Sequence, residues 1–124
     1  MKLNHECVRH ILLTVEESDN NEVLSLHFLS QKPNLHIYLE SEILYTIQKL
    51  VEAGYIQATV KSTPEIQHAV ISSITWNGHQ FLDNIRETSI WEATKIRAAK
   101  LGSVSLPILS ELAKSYITEK LGLN

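Results

Sequence analysis

The chain has 124 residues, 11 Lys and Arg against 14 Asp and Glu, a formal net charge of −3, and a single cysteine, Cys7. That length suits one domain, or a small domain with an appended helical segment, and buries a core without staples. The charge argues against a strongly basic nucleic-acid binder, one cysteine excludes an intrachain disulfide and a cysteine-based zinc cluster, and no stretch approaches the length needed to span a membrane. Residues 1–15 form an amphipathic segment rather than a signal peptide, so the expected compartment is the cytoplasm. Basic residues exceed acidic ones only in residues 88–124, five against three.

Asn4 caps a first helix whose buried stripe is Val8, Ile11, Leu12 and Val15, ending near Glu17 before the loop composition Ser18-Asp19-Asn20-Asn21. Val23 to Leu29 reads equally as a strand or a short helical piece. Pro33 breaks the chain, His36 to Leu39 reads as a short strand, and Ser41 is the expected cap of a central helix. In that helix Ile43, Leu44, Ile47, Leu50 and Val51 share a face, and Gly54 stops it. Tyr55 to Lys61 alternates as a half-buried strand, and after Ser62-Thr63-Pro64-Glu65 the run Ala69 to Ile74 pairs back on it as a hairpin. Thr75 then caps a helix that stops near Arg86. Ser89-Ile90-Trp91-Glu92 reads as a capping box opening the next, with Ile90, Trp91, Thr94, Ala98 and Leu101 on one face and Gly102 at its end. Ser105 caps a last helix with Pro107 in its first turn.

Two junctions carry a likeness. Ile74-Thr75-Trp76-Asn77-Gly78-His79-Gln80-Phe81-Leu82 resembles the run that often follows the wing of a winged-helix domain, with Ile74 in place of its usual leucine. Leu50-Val51-Glu52-Ala53-Gly54-Tyr55-Ile56 resembles the junction between recognition helix and wing in the same proteins. The whole chain, including Met1 to Arg9, Gly78-His79-x-Phe81-Leu82-Asp83-Asn84-Ile85-Arg86, Trp91, Leu101 to Leu106 and Leu121-Gly122-Leu123, resembles a bacterial and prophage family catalogued as domain of unknown function 2513. The resemblance transfers no activity. It implies a mobile-element origin and a winged-helix core.

The expected architecture is α+β and mostly α: a winged-helix-like core over residues 1–87 and a two-helix C-terminal extension over 88–124, forming one structural domain. An ordinary winged helix needs a middle helix, which only residues 18–40 can supply, and their pattern is poor for one.

If the central helix and wing read DNA, the expected contacts are Tyr45, Thr46, Gln48, Lys49, Lys61, Thr63, Gln67 and His68. Glu42 and Glu52 share that helix face and repel phosphate, so a plain solvated surface competes with this reading. Leu106, Leu109, Leu112, Ala113, Tyr116 and Ile117 form the expected homodimer interface, against the alternative that the last helix packs on its own chain. Cys7 and His10 stand three apart on the first helix, but no third group completes a thiolate-imidazole site, and a buried structural cysteine is the plainer reading. The six histidines form no metal-binding spacing, and no paired-carboxylate, phosphate-loop or serine-nucleophile motif is present. The expectation is a non-enzymatic protein without metal or cofactor: a DNA-binding regulator, or a winged helix used for protein interaction or assembly.

Overall fold

The structure, a computed structural model, describes residues 1–122; Leu123, the last residue of the Leu121-Gly122-Leu123 segment, lies outside them. Its elements are α1 (His5–Glu17), β1 (Leu24–Ser25), α2 (Leu26–Ser30), α3 (Glu40–Glu52), β2 (Ile56–Ser62), β3 (Gln67–Ile74), α4 (Trp76–Ile85), α5 (Thr88–Leu101) and α6 (Leu106–Leu121). The molecule is α+β and mostly helical, with a three-stranded antiparallel sheet in the order β1-β3-β2. The succession α1-β1-α2-α3-β2-β3 is consistent with a winged-helix-like core.

The chain divides into two compact units, Met1–His79 and a second from Gln80 onward. The division falls inside α4, earlier than the 87/88 boundary expected from the sequence.

In the first unit Asn4 begins α1 as its sequence dictates, its Oδ1 accepting from the backbone N–H of Glu6 at 2.9 Å and of Cys7 at 3.2 Å. Val8, Ile11, Leu12 and Val15 are buried with Cys7, so α1 presents one apolar stripe to α3 and β3. The ambiguous segment 23–29 is both of its alternatives in succession. Leu24 and Ser25 pair with Ile71 and Val70 of β3, and the Ser25 side chain then caps α2 by accepting from Phe28 N–H at 3.1 Å. A middle helix therefore exists, but it is five residues long.

His36 to Leu39 is not a strand. The backbone N–H of Leu35 and of His36 both reach Lys32 C=O, and Tyr38 N–H reaches Leu35 C=O, folding 31–38 into turns around the fully buried Leu35. Nor does Ser41 cap α3. The cap is Leu39, which makes no side-chain bond, and Ser41 stands inside the first turn. Ile43, Leu44, Ile47 and Leu50 are buried as expected. Gly54 ends the helix at φ +78°, a conformation that favours glycine.

The hairpin pairs from Ile56↔Ile74 to Ser62↔Gln67, with a bulge where Gln57↔Ser73 and Ala58↔Ile71 leave Ser72 unpaired. Ser72 Oγ donates to Gln57 C=O at 3.0 Å, which ties the extra residue back to the sheet.

Helix α4 starts against the end of α3. Thr75 Oγ1 donates to Gly54 C=O at 2.5 Å and accepts from Gly78 N–H at 3.1 Å, while Thr75 N–H reaches Tyr55 C=O at 3.0 Å. Gly78 is what permits this approach, since a Cβ there would stand 2.0 Å from Tyr55 C=O.

In the second unit α5 and α6 pack on each other, with Trp91, Thr94, Ala98, Leu106, Leu109 and Ala113 buried. Asn84 Nδ2 donates to Ser110 Oγ at 2.9 Å, and Arg97 pairs with Glu119. The Ser89 capping box does not form: α5 begins two residues earlier than that cap would set it, at Thr88, with Glu87 as a cap that makes no side-chain bond. Leu101, expected on the buried face, is largely exposed at the last position before Gly102. Ser105 does cap α6, accepting from Ile108 N–H at 3.5 Å.

Candidate nucleic-acid interface

Helix α3 turns its apolar stripe inward, which leaves Tyr45, Gln48 and Lys49 half-exposed and Glu52 exposed on the opposite side. Thr46 does not belong with them. It is fully buried, its Oγ1 donates to Glu42 C=O at 2.8 Å, and it hydrogen-bonds the Cys7 side chain of α1. Counted round the helix, Thr46 stands only about 40° from Leu50, inside the buried arc.

Lys49 is the sole cation of α3. Its Nζ lies 3.1 and 3.2 Å from the two carboxylate oxygens of Glu52, and 5.4 Å from the centroid of the Tyr45 ring. The bond and charge of Glu52 raise the Lys49 pKa.

The β2–β3 hairpin, the expected wing, supplies a more open surface. Every residue from Lys61 to His68 is exposed. Its tip is closed by hydrogen bonds: Thr63 N–H to Ile66 C=O at 2.8 Å, Ile66 N–H to Thr63 Oγ1 at 3.0 Å, and Gln67 Nε2 to Thr63 C=O at 2.8 Å. Lys61 and His68 stand directly opposite each other across the two strands. The four expected wing residues therefore cluster. With about 3.3 Å per residue, the six steps from Ile56 to Ser62 carry the tip roughly 20 Å from the α3–β2 junction.

The last-helix residues divide. Leu106, Leu109 and Ala113 are buried within the single chain and offer no area to a second copy, whereas Leu112, Tyr116 and Ile117 keep partial exposure.

Cys7 and His10 do not form a pair of catalytic type. Cys7 is fully buried and its pKa is pushed up to about 11, chiefly by that burial, so the thiol stays protonated at neutral pH. His10 Nδ1 instead meets the Tyr38 hydroxyl at 2.9 Å. Burial first, then the charges of Cys7, Glu6 and Glu42, push Tyr38 up to about 12. Among the described residues no group of three His, Cys, Asp or Glu is placed to hold a metal ion, and no helix is long and apolar enough to cross a membrane.

Sequence reasoning missed the exposure of Ile37, Leu39 and Trp76. For Ile37 and Leu39 the signal was an apolar run in a segment broken by Pro33, which reads as a strand until Leu35 is seen to anchor it. Trp76 gave none, since an aromatic residue at a helix start usually packs inward.

A model of the family described as "Hypothetical protein (DUF2513)" matches residues 2–105. The chain belongs to that family. The DUF2513 match takes in all three strands and α1 to α5, and ends at Ser105, the cap of α6. An "Uncharacterized protein" of Haemophilus influenzae is 29% identical over 124 residues, covering 98% of this chain and 99% of its own. Its likeness therefore continues through α6. No solved structure matches the chain significantly.

Proposed function

We propose that this DUF2513 protein is a DNA-binding transcriptional regulator of bacterial or prophage origin, acting in the cytoplasm as a homodimer. The observation that carries the reading is the hairpin that follows α3: its whole tip is exposed, is closed by its own hydrogen bonds, and presents Lys61, Thr63, Gln67 and His68 together. Such an arm positions a helix on a duplex through backbone contacts, while Tyr45 and Gln48 stand on the exposed side of α3 where base edges are read. The part-exposed Leu112, Tyr116 and Ile117, beside the exposed Ile108, supply the apolar surface for pairing two copies.

The test is fluorescence anisotropy of a labelled mixed-sequence duplex at low and near-physiological salt. The expected result is binding that weakens with salt by a slope of roughly one to two per subunit, since Lys49 and Lys61 are the cations on the proposed surface. Lys61→Glu should weaken it at least tenfold without moving the melting temperature, and unchanged affinity would remove the wing from the site.

One observation favours a second reading, a protein-interaction or assembly module. Glu52 neutralises Lys49, and Glu40 and Glu42 add carboxylates to the same helix. No duplex binding even at low salt would select that reading.

A further inference from the structure

The only cation that α3 carries is already engaged. Both oxygens of the Glu52 carboxylate lie within hydrogen-bond distance of Lys49 Nζ, on a surface where the two side chains are 38% and 64% exposed. Tyr45 stands beneath the same ammonium. A phosphate oxygen that takes Lys49 must displace Glu52, and the freed carboxylate then stands next to the phosphate or recruits a cation of its own. The contact so formed releases almost no net counterion. We propose that Glu52 is an affinity-setting residue that competes with the DNA backbone for Lys49, so that the Lys49–Glu52 pair offers a duplex no net attraction until it opens. This rests on the DNA-binding reading of the same surface. It leaves the wing as the arm that supplies net attraction and makes α3 dependent on base contacts from Tyr45 and Gln48.

A double-mutant cycle separates this role from simple repulsion. The full-length wild type, Glu52→Gln, Lys49→Gln and the double variant are titrated against the labelled mixed-sequence duplex over a range of salt. Equal melting temperatures serve as the folding control. The competitor role predicts that Glu52→Gln tightens binding about three- to tenfold and steepens the salt slope by up to about one. In the Lys49→Gln background the same change should gain about twofold or less. An equal gain in both backgrounds would overturn the proposal, because the carboxylate would then act only by repelling phosphate. So would no gain at all, which leaves the DNA reading standing if the wild type binds. Binding by Glu52→Gln alone supports the proposal, whereas no binding by either protein at low salt overturns both.

Discussion

Cys7 is a residue whose chemistry is altered by its surroundings. Its thiol sits fully buried in α1 beside Thr46 and near Glu42, and its pKa rises from about 9 toward 11. Stability from this group is therefore complete below the unfolded pKa near 9 and is lost as pH climbs through the folded value near 11, because the unfolded chain releases the proton first. Urea unfolding should lose about 1 kcal/mol per pH unit in that window through this group. In Cys7→Ser that part of the slope should vanish, leaving the loss due to Tyr38 at higher pH. Equal slopes in both proteins would show that the thiol ionises as readily folded as unfolded.

The element that joins α3, the β2–β3 hairpin and α4 is the turn at Gly54, Tyr55 and Thr75. Three backbone or hydroxyl bonds converge there, and Gly78 admits the approach because it lacks a side chain. Gly78→Ala would place a methyl 2.0 Å from Tyr55 C=O and 2.7 Å from Ile74 Cγ2, neither a flexible chain end that can swing aside. The expected loss is about 3 kcal/mol or more in chemical denaturation. A loss under about 1 kcal/mol would mean that α4 shifts freely along the turn.

Several caps and stops set by one short-range bond were legible in the sequence, although the expected caps at Ser41 and Ser89 do not form. Asn4, Thr75 and Ser105 each cap as their residue type and position dictate, and Gly54 and Gly102 stop their helices. Elements set by distant partners were not. β1 exists only because β3 lies beside it, and residues 36–39 turn rather than extend because Leu35 is held in the core. Thr46 was misplaced because its polarity concealed an inward angle that α1 fills with Cys7. Half of the expected last-helix interface is internal because α5 lies against it, a fact that an apolar stripe cannot disclose by itself.

Over the whole molecule, charge bears directly on the proposed DNA contact. Among the described residues Lys32, Lys49, Arg86, Lys95, Arg97 and Lys114 are each paired with a carboxylate. Such pairing, with a net charge of −3, weakens long-range attraction to a duplex, so the proposed recognition rests on short-range fit of the hairpin and of the exposed side of α3. The most direct measurement is a titration of 15N-labelled protein with a duplex, following backbone amide shifts at low salt. The largest changes are expected on Gln48, Lys49, Lys61, Thr63, Gln67 and His68, with the buried Thr46 and Leu109 unmoved. Shifts confined to the exposed Ile37, Leu39 and Trp76, or none at all, would contradict the DNA-binding reading.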